Sequence, residues 1–186
     1  MRANCFRLLG AVLLPVLLFN GPAVQAGDLS AVSDFGRADI ALYSASIIQN
    51  GDYNSASIDQ GLLFGGAGLV SAINQTGSAN AASTRQTGDL NRVTITQTGS
   101  RNSAGTVQSG LRNVIDLTQG GLDNNIVSNQ IGNDNSITAT QTGGNRAEFI
   151  ENGNSNTITA DQVVGGQNVS ISLNGSGLIM KIKQTK

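Results

Sequence analysis

The most regularly spaced polar side chains in this sequence are amides. From Gln49 onwards, the pattern Gln-x-Gly-x-x-Asn-x-(small or apolar)-x-x-x-Gln recurs every 11 residues. Clear copies are Gln75-Thr-Gly77-Ser-Ala-Asn80 and Gln86-Thr-Gly88-Asp-Leu-Asn91. A side-chain amide both donates and accepts, so equivalent amides can hydrogen-bond to one another in a row. The chemistry predicted from this spacing is hydrogen bonding within a stacked array.

Stacking is needed because burying these amides singly is unfavourable. A buried polar group without a partner costs about 1–3 kcal/mol, whereas Asn and Gln ladders satisfy one another in cross-β structure. Glu151 and Leu173 stand where two units would have Gln. The amides predicted to stack are Gln49, Asn54, Gln60, Gln75, Asn80, Gln86, Asn91, Gln97, Asn102, Gln108, Asn113, Gln119, Asn124, Gln130, Asn135, Gln141, Asn156, Gln162 and Gln184.

Catalytic chemistry is not predicted. The chain has no His, and its only Cys is Cys5, near the start. Acids such as Asp52, Asp89, Asp123 and Asp134 fall mainly in predicted turns, whereas proton transfer requires a group positioned beside a substrate. Calcium-binding repeats have a nonapeptide period, which this chain lacks. We therefore expect no enzyme, no catalytic residue, no metal ligand and no cofactor.

Each repeat predicts one strand and one turn. In residues 91–97 the odd-numbered side chains point one way, and Arg92, Thr94 and Thr96 point the other way. The first set is Asn, aliphatic or small, then Gln; the second is hydrophilic and variable. One face of each seven-residue strand is therefore expected to be buried. The four residues between strands, with Gly in second place, predict a tight turn.

Two 11-residue units make one closed rung of 22 residues. The fold class predicted is all-β: a two-sheet parallel β-solenoid of stacked strand-turn-strand-turn rungs, amyloid-like and cross-β, with 13 strands between Tyr43 and Gln184. A meander or sandwich would not require the same amide at the same offset. One sheet should hold the strands ending at Gln49, Gln75, Gln97, Gln119, Gln141, Gln162 and Gln184, and the other those ending at Gln60, Gln86, Gln108, Gln130, Glu151 and Leu173.

The ends of the chain differ from the repeats. Arg2 and Arg7, an apolar stretch over residues 8–19, and Val24-Gln25-Ala26 predict a secretory signal peptide over residues 1–26. Residues 27–42 fall off phase, residues 43–184 form the predicted solenoid, and residues 185–186 are a basic end. A longer turn at residues 61–68 contains Leu62-Leu63-Phe64, which either docks a partner or folds over the solenoid edge.

The repeat resembles that of a known family. Gln49-Asn-Gly51-Asp-Tyr-Asn54-Ser-Ala56-Ser-Ile-Asp-Gln60 and residues 75–86 are similar to the curlin repeat of bacterial curli fibres, and the resemblance covers roughly residues 43–184. It implies export through the periplasm of a Gram-negative bacterium and passage through an outer-membrane secretion pore. Assembly into extracellular amyloid fibres for biofilm and adhesion would follow. The partners it implies are further copies, a second curlin subunit and an accessory anchoring protein, and it makes residues 27–42 an export signal.

The end of the chain resembles the minor, nucleating curlin subunit. No acid follows Asp161, and the chain closes Ser176-Gly-Leu-Ile-Met180-Lys-Ile-Lys-Gln184-Thr-Lys186. This is similar to the basic, degenerate last repeat of the nucleator. The resemblance implies that Lys181, Lys183 and Lys186 attach the protein to a partner or to the anionic outer membrane.

Other readings stay open at this point. The major curlin subunit is the first alternative, and a soluble adhesin capped by residues 27–42 is the second. An ice-binding solenoid is the third: Thr96, Thr118 and Thr140 line up, but Arg92 and Asp116 interrupt that face. Residues 27–186 carry 9 Lys and Arg against 12 Asp and Glu, a net charge of −3, without a basic cluster interleaved with aromatics. Nucleic acid is not an expected partner.

Overall fold

A computed structural model describes residues 17–20, 44–61 and 68–185. Regular structure in these ranges is entirely β, and none of it is a helix that could span a membrane. The strands are β1 (Leu17–Asn20), β2 (Ser44–Asn50), β3 (Ser55–Gly61), β4 (Val70–Ser78), β5 (Ala81–Asp89), β6 (Arg92–Ser100), β7 (Ser103–Leu111), β8 (Val114–Leu122), β9 (Asn125–Asn133), β10 (Ser136–Thr142), β11 (Arg146–Asn154), β12 (Thr157–Gln162), β13 (Asn168–Ser176) and β14 (Ile179–Gln184).

The strands form two parallel sheets that alternate along the chain. The first sheet has the order β1-β2-β4-β6-β8-β10-β12-β14, and the second has the order β13-β11-β9-β7-β5-β3. Strands β2 to β14 are the 13 predicted ones, and each lies in the predicted sheet. The prediction of a two-sheet parallel β-solenoid is confirmed.

The register between rungs keeps equivalent residues together. Gln75 pairs with Gln97 and Gln97 with Gln119 in the first sheet, while Gln86 pairs with Gln108 in the second. A shift of one residue would turn every inward side chain to solvent. The turn after Gln141 is one residue shorter than the others, yet Gln141 still pairs with Gln162. The missing residue is absorbed in the turn.

Eight of the strands, β4 to β9, β11 and β13, have nine residues rather than the seven predicted. β6 begins after Asn91 and continues past Gln97 to Ser100, so the backbone ladder runs through Gly99. Gly99 has φ 112° and Arg101 has φ 55°. A Cβ at Gly99 would overlap the carbonyl oxygen of Gly121 in the next rung. The predicted four-residue turn is therefore mostly paired strand, because glycine lets neighbouring backbones stack through the bend.

The core is one narrow column of aliphatic side chains between the sheets. Ile95, Leu117, Ile126 and Phe149 have no exposed surface, and smaller residues such as Ala104 fill the layers between them. These side chains alternate with outward residues along every strand. Because this apolar column is thin, buried polar residues fill the rest of the interior.

Some sequence predictions fall beyond the part of the chain described. Within the predicted signal peptide only β1 is described; its backbone pairs in parallel with β2, Leu17 lying beside Ile47. Residues 27–42, the Leu62-Leu63-Phe64 cluster and Lys186 lie outside the described residues. The signal peptide and the roles given to these segments remain predictions.

Candidate functional site

The glutamines of the first sheet form a continuous ladder. Each side chain from Gln49 to Gln162 donates through Nε2 to Oε1 of the glutamine in the next rung, over 2.7 to 3.2 Å. Gln97 is typical: it accepts from Gln75 at 2.7 Å and donates to Gln119 at 2.8 Å. The ladder extends to Gln184 and runs along the whole first sheet after β1.

The second sheet carries a shorter ladder. Gln60, Gln86 and Gln108 each donate to the next glutamine at 2.9 Å. Gln130 then donates to Oε2 of Glu151 at 2.8 Å, and Leu173 takes the following position. The row of amides in the second sheet therefore ends at Gln130. A carboxyl group follows it on β11 and a leucine on β13, the last strand of this sheet.

The second Nε2 hydrogen of the ladder glutamines from Gln60 to Gln130 joins the two sheets. Gln97 donates to the carbonyl of Ala81 at 2.9 Å, and Gln86 donates to the carbonyl of Val70 at 3.1 Å. Both bonds reach back 16 residues, the first from the first sheet to the second and the other in the reverse direction. The ladder thus satisfies its own donors and holds the sheets against each other.

The asparagines form ladders at the turns. Oδ1 of Asn102 accepts from the backbone N–H of Asn124 at 3.2 Å and from its Nδ2 at 2.9 Å. Nδ2 of Asn102 donates to the carbonyl of Gly121 at 3.1 Å. Asparagine at this place therefore binds two backbone groups of the following rung, while its Nδ2 also donates to Oδ1 of Asn80 in the preceding rung at 3.1 Å. These bonds cover polar groups that the bend would otherwise leave unpaired.

Nearly all of the predicted stacking amides lie inside. Most are at most 1% exposed; Gln49 and Asn54 reach 5% and 7%, and Gln60 and Gln184 at the two ends are half-buried. Asn145, which was left out of the predicted stacking set, is also buried and accepts from the backbone N–H of Gln167 at 3.0 Å. Asn145 comes one residue earlier after Gln141 than the 11-residue period requires, so it does not fall on the expected asparagine position.

Polar groups also enter the aliphatic column. Ser71 and Thr84 face each other across the core with their hydroxyl oxygens 2.9 Å apart. The sequence pattern treats both positions as small or apolar and so misses this pair. Its only signal is that two hydroxyl residues occupy inward places in consecutive strands.

Glu151 is the one buried acid among the described residues. It has no exposed surface, and its Oε1 has no hydrogen-bond partner. Burial raises the pKa of Glu151 to about 7, against smaller opposing effects of hydrogen bonds from Gln130 and the backbone of Ile158. The carboxyl group is therefore held largely neutral below that pH.

Ion pairs join neighbouring rungs on the outside. Arg101 binds Asp123 through two hydrogen bonds of 2.7 and 2.8 Å, and Arg112 binds Asp134 with the same distances. Hydrogen bonding from these guanidinium groups lowers the pKa of Asp123 and of Asp134. These groups sit where the turns stack, and their exposure limits their effect on stability.

The C-terminal end is open and basic. Leu178 and Met180 occupy inward positions of the repeat but are each 39% exposed, because β14 is the last strand of its sheet. Lys181 and Lys183 are exposed on the outer face of β14. Oε1 of Gln184 accepts from Gln162, whereas its Nε2 finds no acceptor among the described residues.

The N-terminal end presents the opposite group. β3 is the outermost strand of the second sheet. Nε2 of Gln60 donates to Gln86, and its Oε1 finds no donor within the part of the chain described. The ladders are therefore polar: among the described residues, Oε1 of Gln49 and of Gln60 accepts no bond at the N-terminal end, and Nε2 of Gln184 donates none at the C-terminal end.

The repeat geometry has a counterpart in a known family. The family model described as Curlin associated repeat matches residues 71–99 and 88–121, which span β4 to β8. No curated protein and no solved structure matches the chain. The repeat and the solenoid fold indicate a structural protein rather than an enzyme. The two matched stretches lie where both glutamine ladders are unbroken, so the repeats over residues 71–121 are similar to the Curlin associated repeat.

Proposed function

We propose that this chain is a structural subunit of extracellular curli fibres, and that it is the minor subunit that nucleates them. The observation that carries the proposal is the pair of amide ladders, which among the described residues leave acceptors free at Gln49 and Gln60 and a donor free at Gln184. Such a column is extended by any solenoid that offers the same amides in the same register. Open sheet edges at both ends add unpaired backbone groups.

The polarity of the ladders gives fibre growth a direction. Joining two C-terminal ends would bring donor against donor, and joining two N-terminal ends would bring acceptor against acceptor. Only a C-terminal end on an N-terminal end continues the hydrogen-bonded row. Growth of this kind gives cross-β order with rungs about 4.8 Å apart along the fibre.

The cellular setting follows from the predicted signal peptide and the curlin repeat. We place the protein outside a Gram-negative cell, after export through the periplasm and an outer-membrane secretion pore. An accessory anchoring protein and a second curlin subunit are its proposed partners. Residues 27–42 would serve as the export signal.

The basic last strand favours the minor subunit over the major one. β14 exposes Lys181 and Lys183, and the chain contains no acid after Asp161. A fibre built in one direction has one free C-terminal end, which would present these cations to the anionic outer membrane. The opposite end would remain free to template the major subunit.

Assembly is tested with purified residues 27–186. The chain should convert to β-rich fibres that bind thioflavin T and diffract near 4.8 Å. Substoichiometric amounts should abolish the lag of a separate curlin subunit. A chain that stays monomeric indefinitely would support the capped adhesin instead. Fibres without seeding activity would favour the major subunit.

Attachment is tested separately on cells. Lys181→Glu combined with Lys186→Glu should leave fibre formation intact and release the fibres from the surface. Ser170→Glu, an outward change on β13, is the matched control, because it adds an exposed acid away from these lysines. Double-variant fibres that stay attached would remove the support for a membrane-facing basic end.

A further inference from the structure

Successive 11-residue units are equivalent by a half-turn about the solenoid axis. The bond from Gln Nε2 to a carbonyl 16 residues earlier occurs from the second sheet to the first at Gln86 and Gln108. It occurs from the first sheet to the second at Gln97 and Gln119. The distances lie between 2.8 and 3.1 Å in both directions. Each unit therefore advances the chain by half a rung and rotates it by half a turn.

The number of units within the described residues 44–61 and 68–185 is odd. β2 to β14 are 13 strands, and both the first and the last of them lie in the first sheet. At the C-terminal end, the first sheet extends half a rung further than the second. The next vacant strand position is thus on the outer edge of β13, followed by one on the outer edge of β14.

We propose that successive copies stack C-terminal end to N-terminal end with a rotation of half a turn, so that β2 of one copy pairs with β13 of the copy before it, and β3 pairs with β14. This inference rests on the proposed self-assembly and specifies its interface. Each copy adds six and a half rungs, a rise of roughly 31 Å. The structural repeat of a fibre is then two copies.

The side chains of β3 and β14 match in this arrangement. Continuing the ladder puts Oε1 of Gln60, which accepts no bond among the described residues, against Nε2 of Gln184, which donates none there. Oε1 of Gln49 likewise accepts no bond in the part of the chain described, and at this junction it lies over Leu173. Counting back along both strands puts Asp59 over Lys183. Asp59 already binds Arg85 at 3.0 Å, so the outer row alternates in charge across the junction.

The apolar side chains match as well. One position further back, Ile58 lies over Ile182, and Ala56 lies over Met180, which is 39% exposed in the single chain. On the other sheet, Ile47 lies over Ile171, while Gln49 lies over Leu173. The first-sheet ladder therefore passes into the second sheet of the next copy, and the shorter ladder stays interrupted at Leu173.

Stacking without rotation fits less well. It would pair β2 with β14 and put Ile48, rather than an acid, over Lys183. It would also leave one strand position empty between β13 and the next copy's β3. The backbone groups along that gap would have no partner in either copy. In the full-length chain β1 occupies the outer edge of β2, so the proposed junction requires that β1 be removed.

Cysteine cross-linking tests the rotation, because residues 27–186 contain no Cys. Copies with Ser57→Cys are mixed with copies with Lys181→Cys, and fibres are treated with a short bifunctional thiol reagent. The half-turn pairs Ser57 with Lys181, so this mixture should give cross-linked dimers. It also pairs Ser46 with Ser170, so a second mixture of Ser46→Cys with Ser170→Cys copies should give them too. A mixture of Ser46→Cys with Lys181→Cys should give far fewer, since only unrotated stacking brings those residues together. The reverse yield would overturn the proposal.

Charge reversal tests the same junction without cross-linking. Lys183→Glu puts a carboxylate over Asp59 and should slow elongation roughly two- to fivefold at low salt. Lys181→Glu makes the same change over Ser57 and should have little effect. Equal slowing by the two variants would contradict the proposed register.

Absence of fibres from the parent chain would overturn the proposed function as well, whereas fibres without the Ser57–Lys181 cross-link would overturn the rotation alone.

Discussion

Nε2 of Gln130 donates a 2.8 Å hydrogen bond to Oε2 of Glu151, and at this contact the second ladder changes from amide to carboxyl. Oε1 of Glu151 has no partner. Ionisable side chains on the strands packed against it point outward, as Asp161 does on β12. The charge state of Glu151 therefore depends chiefly on its own burial.

The first prediction is that Glu151 makes the solenoid less stable as the pH rises. Its pKa in the folded chain is about 7, above its ordinary value of 4.5. The contribution to stability is complete below pH 4.5 and is lost as the pH rises to about 7. A shift of this size corresponds to at most about 3 kcal/mol. Denaturant midpoints of fibres at pH 4.5 and pH 8 measure it.

Glu151→Gln should flatten this pH dependence, because the amide continues the ladder without ionising. The matched control is Glu148→Gln, an exposed acid on the same strand, which should keep the parent profile. If Glu151→Gln retains the full pH dependence, another group is responsible.

A second prediction concerns the interior of the first-sheet ladder. Gln119 accepts from Gln97 at 2.8 Å and donates to Ser103 at 2.8 Å. Gln119→Ala leaves buried groups unpaired, each costing about 1–3 kcal/mol. Assembly should slow and the urea midpoint of fibres should fall. Thr118→Ala, on the exposed face of the same strand, should change both far less. Similar effects would mean that the amide bonds contribute little.

A third prediction separates steric contact from backbone strain. Gly99 and Gly166 both have positive φ, 112° and 80°. A Cβ at Gly99 would overlap the carbonyl oxygen of Gly121, whereas a Cβ at Gly166 meets nothing within 4 Å. Gly99→Ala should therefore block or strongly delay fibre formation, and Gly166→Ala should allow it. Thioflavin T kinetics decide between them; equal delays would attribute the whole effect to the positive φ.

A fourth prediction addresses the longer turn. Shortening residues 61–68 to Gly-Gly-Asn-Gly should preserve fibre formation, since loop length contributes little to the free energy of closing a turn. The test combines thioflavin T kinetics with fibre retention on cells. Loss of retention with intact assembly would identify Leu62-Leu63-Phe64 as a partner site, and loss of assembly would make the turn part of the fold.

The strand count, the division into two sheets and the register could all be read from the sequence. Gln75 and Gln97 are 22 residues apart, and both must be inward if their amides are to bind each other. Side chains alternate along a strand, so one inward glutamine determines which other residues of its unit are inward. An 11-residue unit with one turn leaves few other ways to stack such residues.

The tertiary structure decided which atoms meet between rungs. Local pattern cannot show that Nδ2 of Asn102 reaches the carbonyl of Gly121, or that Ser71 and Thr84 share a hydrogen bond through the core. The sequence pattern puts Glu151 at a glutamine position of the repeat, but it does not show that Oε1 of Glu151 has no hydrogen-bond partner. The free acceptor at Gln60 also appears only when every donor is assigned. The alternation of side chains along a strand determines whether a residue faces the core or solvent. Its hydrogen bonds, in contrast, depend on where the donor and acceptor atoms of the neighbouring rung lie.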